Sequence, residues 1–327
     1  MDRNLEIYKP TKKDLAFRPQ PGYPKANQWW YHEGIFDNGY CVQVHWWLSD
    51  LTARVTVEIG DPDGKAFGIS IPFPRDKVIA STEVCDVTIG ENRMYGEFPR
   101  YHMSFQSGGL GANLVYECIV QEFKEPPDGV YLGRGAVPAT PKYLGYIMRP
   151  RCKISGNLIV DGEEVPVNGH GYADHQWCNV PLLELMYYWY WGKVYLPNHT
   201  IFWWDAQLHE SLGYQRAKWL WVFKGDKLFE YRRNADIYVE ASNLEEVDRK
   251  SGAAYPRRVV VMIDDTRVKG TLTYRLRHTV NPKRVPTPRV DGIRHVYFRY
   301  LSDCNAKLEI DGEKIESNSV ELHELYI

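Results

Sequence analysis

Short runs that alternate apolar and polar residues dominate the chain, and turn signals separate them. Val42 to Trp47, Arg54 to Ile59, Asn113 to Gln121 and Arg257 to Ile263 are rich in β-branched and aromatic residues. That pattern belongs to strands with one face in a core. Asp37-Asn-Gly39, Asp61-Pro-Asp-Gly64, Asp161-Gly162, Pro197-Asn198 and Asp311-Gly312 fall between such runs, in residue types that suit tight turns. Gly108-Gly-Leu-Gly111 reads as one more turn, since it lacks the spacing and the following helix of a dinucleotide-binding loop. Only Ser242 to Lys250 suggests a helix, and a short one. The pattern predicts an all-β protein of antiparallel barrels or sandwiches with few short helices.

The two halves of the chain echo each other. Trp29-Trp-Tyr-His-Glu-Gly34 is followed by a turn and Trp46-Trp47, and Tyr188-Trp-Tyr-Trp-Gly192 by a turn and Trp203-Trp204. The glycines lie 158 residues apart and the tryptophan pairs 157. A second echo, Leu158-Ile-Val-Asp-Gly-Glu-Glu-Val165 against Leu308-Glu-Ile-Asp-Gly-Glu-Lys-Ile315, has an offset of 150. Two echoes in the same order indicate a duplicated domain. The expected division is 1–179 and 180–327.

Composition narrows the function classes. With 11 Trp, 23 Tyr and 11 Phe, each able to bury ~150–250 Å², the chain can build large aromatic interiors. A net charge of −2 and scattered basic pairs offer no footprint for nucleic acid. The N-terminus shows no secretory apolar region, and the longest apolar stretch, Val180 to Leu196, is interrupted by Glu184 and Lys193. It falls short of the ~20 residues that a membrane helix needs, so no transmembrane segment and a cytoplasmic protein are expected. Six widely spaced cysteines without a CxxC pair read as reduced thiols, not as a disulfide or zinc framework. Gly-x-Ser-x-Gly and His-Glu-x-x-His are missing, and the sequon Asn198-His-Thr200 has no role in a cytoplasmic chain. Nothing asks for a metal, nucleotide or other cofactor, and an apolar small molecule is the expected partner.

One run concentrates polar chemistry. Asn168-Gly-His-Gly-Tyr-Ala-Asp-His-Gln-Trp177 brings an aspartate, a tyrosine, a glutamine and two histidines into an aromatic setting. The second repeat ends in Ser319-Val-Glu-Leu-His-Glu324 and lacks that set. A duplicated scaffold needs the strand twice but the polar cluster only once, which singles out Asp174 and Tyr172. A carboxyl group in an apolar pocket makes an acid catalyst, because burial penalises its charged form. The alternative is a hydrogen-bonded corner in which His175, Gln176 and Trp177 are purely structural.

Trp29-Trp-Tyr31 and Gly169-x-Gly-Tyr-x-Asp-His-Gln-Trp177 resemble the lipocalin-like family of carotenoid 1,2-hydratases and AttH-type proteins, to which fungal lipocalin-like Diels–Alderases are related. Cys178 departs from the glycine usual after the tryptophan in that family. The resemblance implies two tandem lipocalin-like antiparallel β-barrels. It also implies a cofactor-independent hydratase, cyclase or isomerase for an apolar terpenoid or polyene, with Asp174 as general acid, Tyr172 in support and His175 beside them. Trp30, Trp47, Trp177, Trp189, Trp191 and Trp203 are the candidate substrate-binding rings, since aromatic faces stabilise cations. His45 and Asp205 are candidate second acid–base groups, with Glu33 a weaker one. A cyclase that works by shape alone, and a non-catalytic carrier of a lipid-like ligand, remain alternatives.

Overall fold

The computed structural model describes residues 8–125, 130–131, 143–243, 246–247, 254–281, 287–288 and 294–326. It divides into two compact units, Met1–Leu185 and Met186–Ile327. The first contains β1 (Asn27–Phe36), β2 (Cys41–Ser49), β3 (Thr52–Gly60), β4 (Ala66–Pro74), β5 (Val78–Ala80), β6 (Cys85–Ile89) and β7 (Asn92–Glu97). It continues with β8 (Arg100–Ser107), β9 (Leu110–Cys118), β10 (Phe123–Lys124), β11 (Val130–Tyr131), β12 (Tyr143–Val160) and β13 (Glu163–Cys178). These strands form one sheet in the order β4-β3-β2-β1-β13-β12-β9-β8-β7-β6-β5, with β10 and β11 added to β12. Val44 and Trp46 of β2, Val57 of β3, Val87 of β6, Met103 of β8, Leu114 of β9 and Ile154 of β12 share one core cluster. Strands from both ends of the path thus meet around a single interior, and the sheet curls into a barrel.

The second unit begins with β14 (Met186–Tyr195), β15 (His199–Leu208), β16 (Arg216–Lys224), β17 (Lys227–Arg233), β18 (Ile237–Ser242), β19 (Glu246–Val247) and β20 (Ala254–Tyr255). After them come β21 (Arg258–Asp264), β22 (Val268–Thr279), β23 (Thr287–Pro288), β24 (Arg294–His295), β25 (Tyr297–Ile310) and β26 (Glu313–Tyr326). Its main sheet runs β17-β16-β15-β14-β26-β25-β22-β21-β18. Both units follow one plan. The first long strand pairs with its successor on one side and with the last strand of the unit on the other, as β2-β1-β13 and as β15-β14-β26. The closing hairpins turn at Asp161-Gly162 (φ 52° and 90°) and Asp311-Gly312 (φ 53° and 84°), the left-handed pair of a two-residue hairpin. Trp46 and Trp203, equivalent in the sequence echo, each lie fully buried in the core of their own unit.

One expectation needs correction. The stretch from Ser242 to Lys250 is not a helix where it is described: β18 ends at Ser242, and Glu246–Val247 pairs with Ala254–Tyr255. Positions 244–245 and 248–250 lie outside the described residues. The two compact units divide at 185/186, six residues beyond the expected 179/180. The segment after β13 stays with the first unit, where Asn27 Nδ2 donates to Val180 O (3.3 Å) and Lys25 pairs with Glu184 (2.9 Å).

The N-terminal segment closes one end of the first barrel. Leu15, at the end of the short 3₁₀ turn Lys12–Leu15, belongs to the barrel core. Trp30 Nε1 donates to Leu15 O (3.1 Å), and Arg18 lies 4.0 Å from the ring centroid of Trp177. His175 stacks on Trp30 at 4.4 Å, with Nδ1 3.3 Å from Asp14 O and Nε2 3.2 Å from Gln28 Oε1. Burial first, and then the Arg18 and Arg149 guanidiniums, push its pKa well below the usual histidine range. The ring is therefore neutral, and its single N–H serves one of the two oxygens. His32, fully buried in the same interior against Tyr116 (5.2 Å), is held well below the usual range by burial, Arg149 and His45.

Small residues on the inner side of β13 allow β1 to approach. A Cβ on Gly171 would lie 2.0 Å from Glu33 O and 2.7 Å from Ile154 Cδ1, so neither strand could keep its place. Gly171→Ala is expected to cost about 1–3 kcal/mol, read as a lower urea midpoint; an unchanged midpoint would refute the close-approach account. The buried neutral histidines set a pH dependence. Their folded pKa values lie below the unfolded value of about 6.5, so their contribution is complete above that pH. It is lost as pH falls, because the unfolded chain takes up protons that the fold refuses. His32→Phe keeps a ring and is expected to flatten the slope of stability by ~1.4 kcal/mol per pH unit below about pH 6. Urea unfolding at several pH values between 7 and 4 measures this, and parallel slopes for the two proteins would contradict it.

Candidate active site

Alternation along β13 divides the polar run between two faces. Val167 and Trp177 belong to the barrel core, so His175 points inward with them, while Tyr172, Asp174 and Gln176 point outward. The same rule places Trp30, His32 and Phe36 of β1 inside and Trp29, Tyr31 and Glu33 outside. On β2, Val42, Val44 and Trp46 face the core, and Gln43, His45 and Trp47 share the outer face. That outer face is itself largely covered: Tyr31, Glu33, Gln43, Tyr172 and Asp174 are all buried.

The antiparallel register assembles these outward residues into rows. His45, Tyr31, Asp174 and Met148 lie side by side across β2, β1, β13 and β12. On one side of them run Trp47, Trp29, Gln176 and Tyr146, and on the other Glu58, Gln43, Glu33 and Tyr172. Asp174 is 3% exposed. Its Oδ2 accepts from Tyr172 Oη at 2.8 Å and from Gln176 Nε2 at 2.9 Å, a ladder made possible by the i, i+2, i+4 spacing. Tyr31 Oη donates to Glu33 Oε2 at 3.0 Å. The Tyr31 ring lies 6.2 Å from His45 and 6.3 Å from Tyr172, and Trp29 lies 6.2 Å from His45. Arg149 Nη2 reaches the backbone O of Asp174 from the barrel interior (3.2 Å). On the adjoining Cys41, burial chiefly, with Glu33 adding to it, drives the thiol up to about 12, which favours the protonated, poorly nucleophilic form.

The residues singled out by sequence do not all meet. Asp174, Tyr172, His45 and Trp47 share the outer face, and Glu33 joins them. His175, Trp30 and Trp177 lie on the opposite face of the same strands, where they hold the N-terminal segment; strand alternation separates His175 from Asp174 despite their adjacency. The setting of Asp174 is also more polar than an apolar pocket, since Tyr172 and Gln176 flank it. Trp189, Trp191, Trp203 and Asp205 belong to the second unit. Trp203 is in its core and donates to Tyr274 Oη (2.9 Å), and Asp205 is gripped by both Nε and Nη2 of Arg216 (3.1 and 2.5 Å). Trp189 stacks on Tyr326 at 4.2 Å, and Trp191 packs against Phe202 at 6.0 Å. Tyr31, named in the sequence only as part of the Trp-Trp-Tyr motif, and Gln43 lie on this same face without having been singled out as candidates. The available signal was period two within the Trp29–Glu33 and Gln43–Trp47 segments.

Among the described residues no cluster of three or more His, Cys, Asp or Glu side chains is arranged to hold a metal ion, and no helix is long and apolar enough to cross a membrane. All six cysteines are free and buried.

No family model matches the chain, and no curated protein does. Solved structures do. A protein assigned as AttH from Nitrosomonas europaea aligns with a TM-score of 0.67 at 14% identity, over 92% of this chain and 92% of that one. Kievitone hydratase from Nectria haematococca aligns with a TM-score of 0.66 at 13% identity, over 94% of this chain and 90% of that one. CghA aligns with a TM-score of 0.66 at 11% identity, over 98% and 96%. The chain therefore has the fold of these proteins, two lipocalin-like antiparallel barrels in tandem along the sequence, as its resemblance to the carotenoid hydratase and AttH group implied.

Proposed function

We propose that this protein is a cofactor-independent hydratase or cyclase of an apolar, unsaturated small molecule, with Asp174 as the general acid. The observation that carries the reading is the hydrogen-bonded ladder Tyr172–Asp174–Gln176 on a buried face. Two donors hold Oδ2, so the transferable proton sits on Oδ1. The same donors stabilise the carboxylate that proton transfer leaves behind. Protonation of a carbon–carbon double bond forms a cation, which the faces of Tyr31 and Trp29 can stabilise by ~0.5–2 kcal/mol each. Water adding to the cation releases a proton that restores Asp174, giving hydration. Attack by a second double bond and loss of a proton gives cyclisation. Glu33, held by Tyr31, stands in the adjoining row and can orient the attacking water whose proton returns to Asp174. The likeness in fold to kievitone hydratase supports this class of chemistry.

The test is product analysis with kievitone, the substrate named for the fungal neighbour, and with a panel of linear polyenes. A gain of one water in mass marks hydration, and unchanged mass with altered retention marks cyclisation. Asp174→Asn is expected to lower turnover by ~10²–10⁴-fold with its thermal midpoint little changed. An active Asn variant would overturn the acid role and favour a cyclase that acts by shape, and recovery of every compound unchanged would favour a carrier. Tyr172→Phe removes one donor from Oδ2 and is expected to slow turnover roughly 10-fold, about the value of one hydrogen bond, with KM less affected than kcat.

A further inference from the structure

We propose that Gln43 anchors an uncharged oxygen group of the substrate, a hydroxyl or a group that likewise both donates and accepts, on the far side of the site from Asp174. The proposal rests on the reading of this face as the active site. Gln43 is 2% exposed, and neither its Oε1 nor its Nε2 has a hydrogen-bond partner. Buried polar groups are rarely left in that state, because each loses its water without replacement. Its position is well defined. As an outward residue of β2 it stands in register with Glu33 on one side and Glu58 on the other. It shares the face that carries His45, Tyr31 and Asp174.

Two features define the group it would take. A primary amide offers one acceptor and a donor pair, and a hydroxyl can engage both. The carboxyl side chains of Glu33 and Glu58 on the flanking strands leave no electrostatic complement for an anionic head group. Geometry then sets the spacing. Gln43 lies two strands and two residues away from Asp174, about 12 Å between Cα atoms for strands ~4.8 Å apart with ~3.3 Å rise per residue. Tyr31 lies between them in the sheet. A substrate spanning the site would place its double bond at Asp174, an apolar middle over Tyr31 and its hydroxyl at Gln43.

Titrations with farnesol, farnesene and farnesoic acid, followed by tryptophan fluorescence, test this. The wild-type protein is expected to bind farnesol about tenfold more tightly than either the hydrocarbon or the acid. Gln43→Met, close to isosteric, should bind farnesol and farnesene alike, with a thermal midpoint no lower than wild type because a buried unpartnered amide has been removed. Gln43→Leu serves as the second variant with the same expectation. Farnesol preference retained in the variants, no preference in the wild type, or binding of none of the three would overturn the proposal. Asp174→Asn separates the two readings. It should keep the farnesol preference while turnover falls, and persistence of turnover in it would sink the acid role and leave the Gln43 anchor standing.

Discussion

The pairing of β1 with β13 is the constraint on which the first unit depends. It runs without interruption from Asn27 opposite Cys178 to Phe36 opposite Gly169. The two strands come from opposite ends of the unit, and bringing them together carries a loop-closure cost that grows as the logarithm of the intervening length. Burial on both faces offsets that cost. On the inner face, Trp30 stacks on His175, Trp177 lies tilted beside it, and the three gather the N-terminal segment; on the outer face, Tyr31, Glu33, Tyr172 and Asp174 form a buried polar layer. A slip of one residue would exchange these sets, placing an aspartate in the core and a histidine among the outer hydroxyls. Register is thereby strongly specified.

The same constraint explains how a barrel with a packed interior can carry a polar layer on its outer face. The interior around Trp46, Val57 and Leu114 is a structural core, and β13 serves it with glycines, alanine, histidine and tryptophan at alternate positions. The intervening positions are freed from that duty and carry tyrosine, aspartate and glutamine. One strand thus separates an apolar core from a buried polar layer by the direction of its side chains. The second unit repeats the frame, with β26 in the place of β13 and Trp203 in the place of Trp46, but its closing strand presents a different outward set. Duplication explains the shared topology, and the divergence of one strand face explains why the polar ladder occurs once.

Much of the fold was legible in the residues. The strands at Val42–Trp47 and Arg54–Ile59 lie inside β2 and β3, and the two Asp-Gly turns close equivalent hairpins with nearly equal left-handed angles. The exception at Ser242–Lys250 is instructive, because strand pairing of Glu246–Val247 with Ala254–Tyr255 outweighs a weak local helical preference. The site was legible only in part. Asp174, Tyr172, His45 and Trp47 share one face. His175, Trp30 and Trp177 lie on the other face, and no local signal marks Tyr31 or Gln43 as their neighbours' partners.

What the sequence determined alone is what short-range physics controls: which segments are strands, where they turn, that the pattern occurs twice, and that one closing strand carries a polar set. Turn dihedrals and period-two alternation act within a few residues and so can be read from them. What only the tertiary structure decided is which strand lies beside which, and therefore which outward residues become neighbours. Asp174 meets Tyr31 across more than a hundred residues of chain because β1 pairs with β13 in one register. That register is settled by the burial of two whole faces at once, a condition no local segment contains.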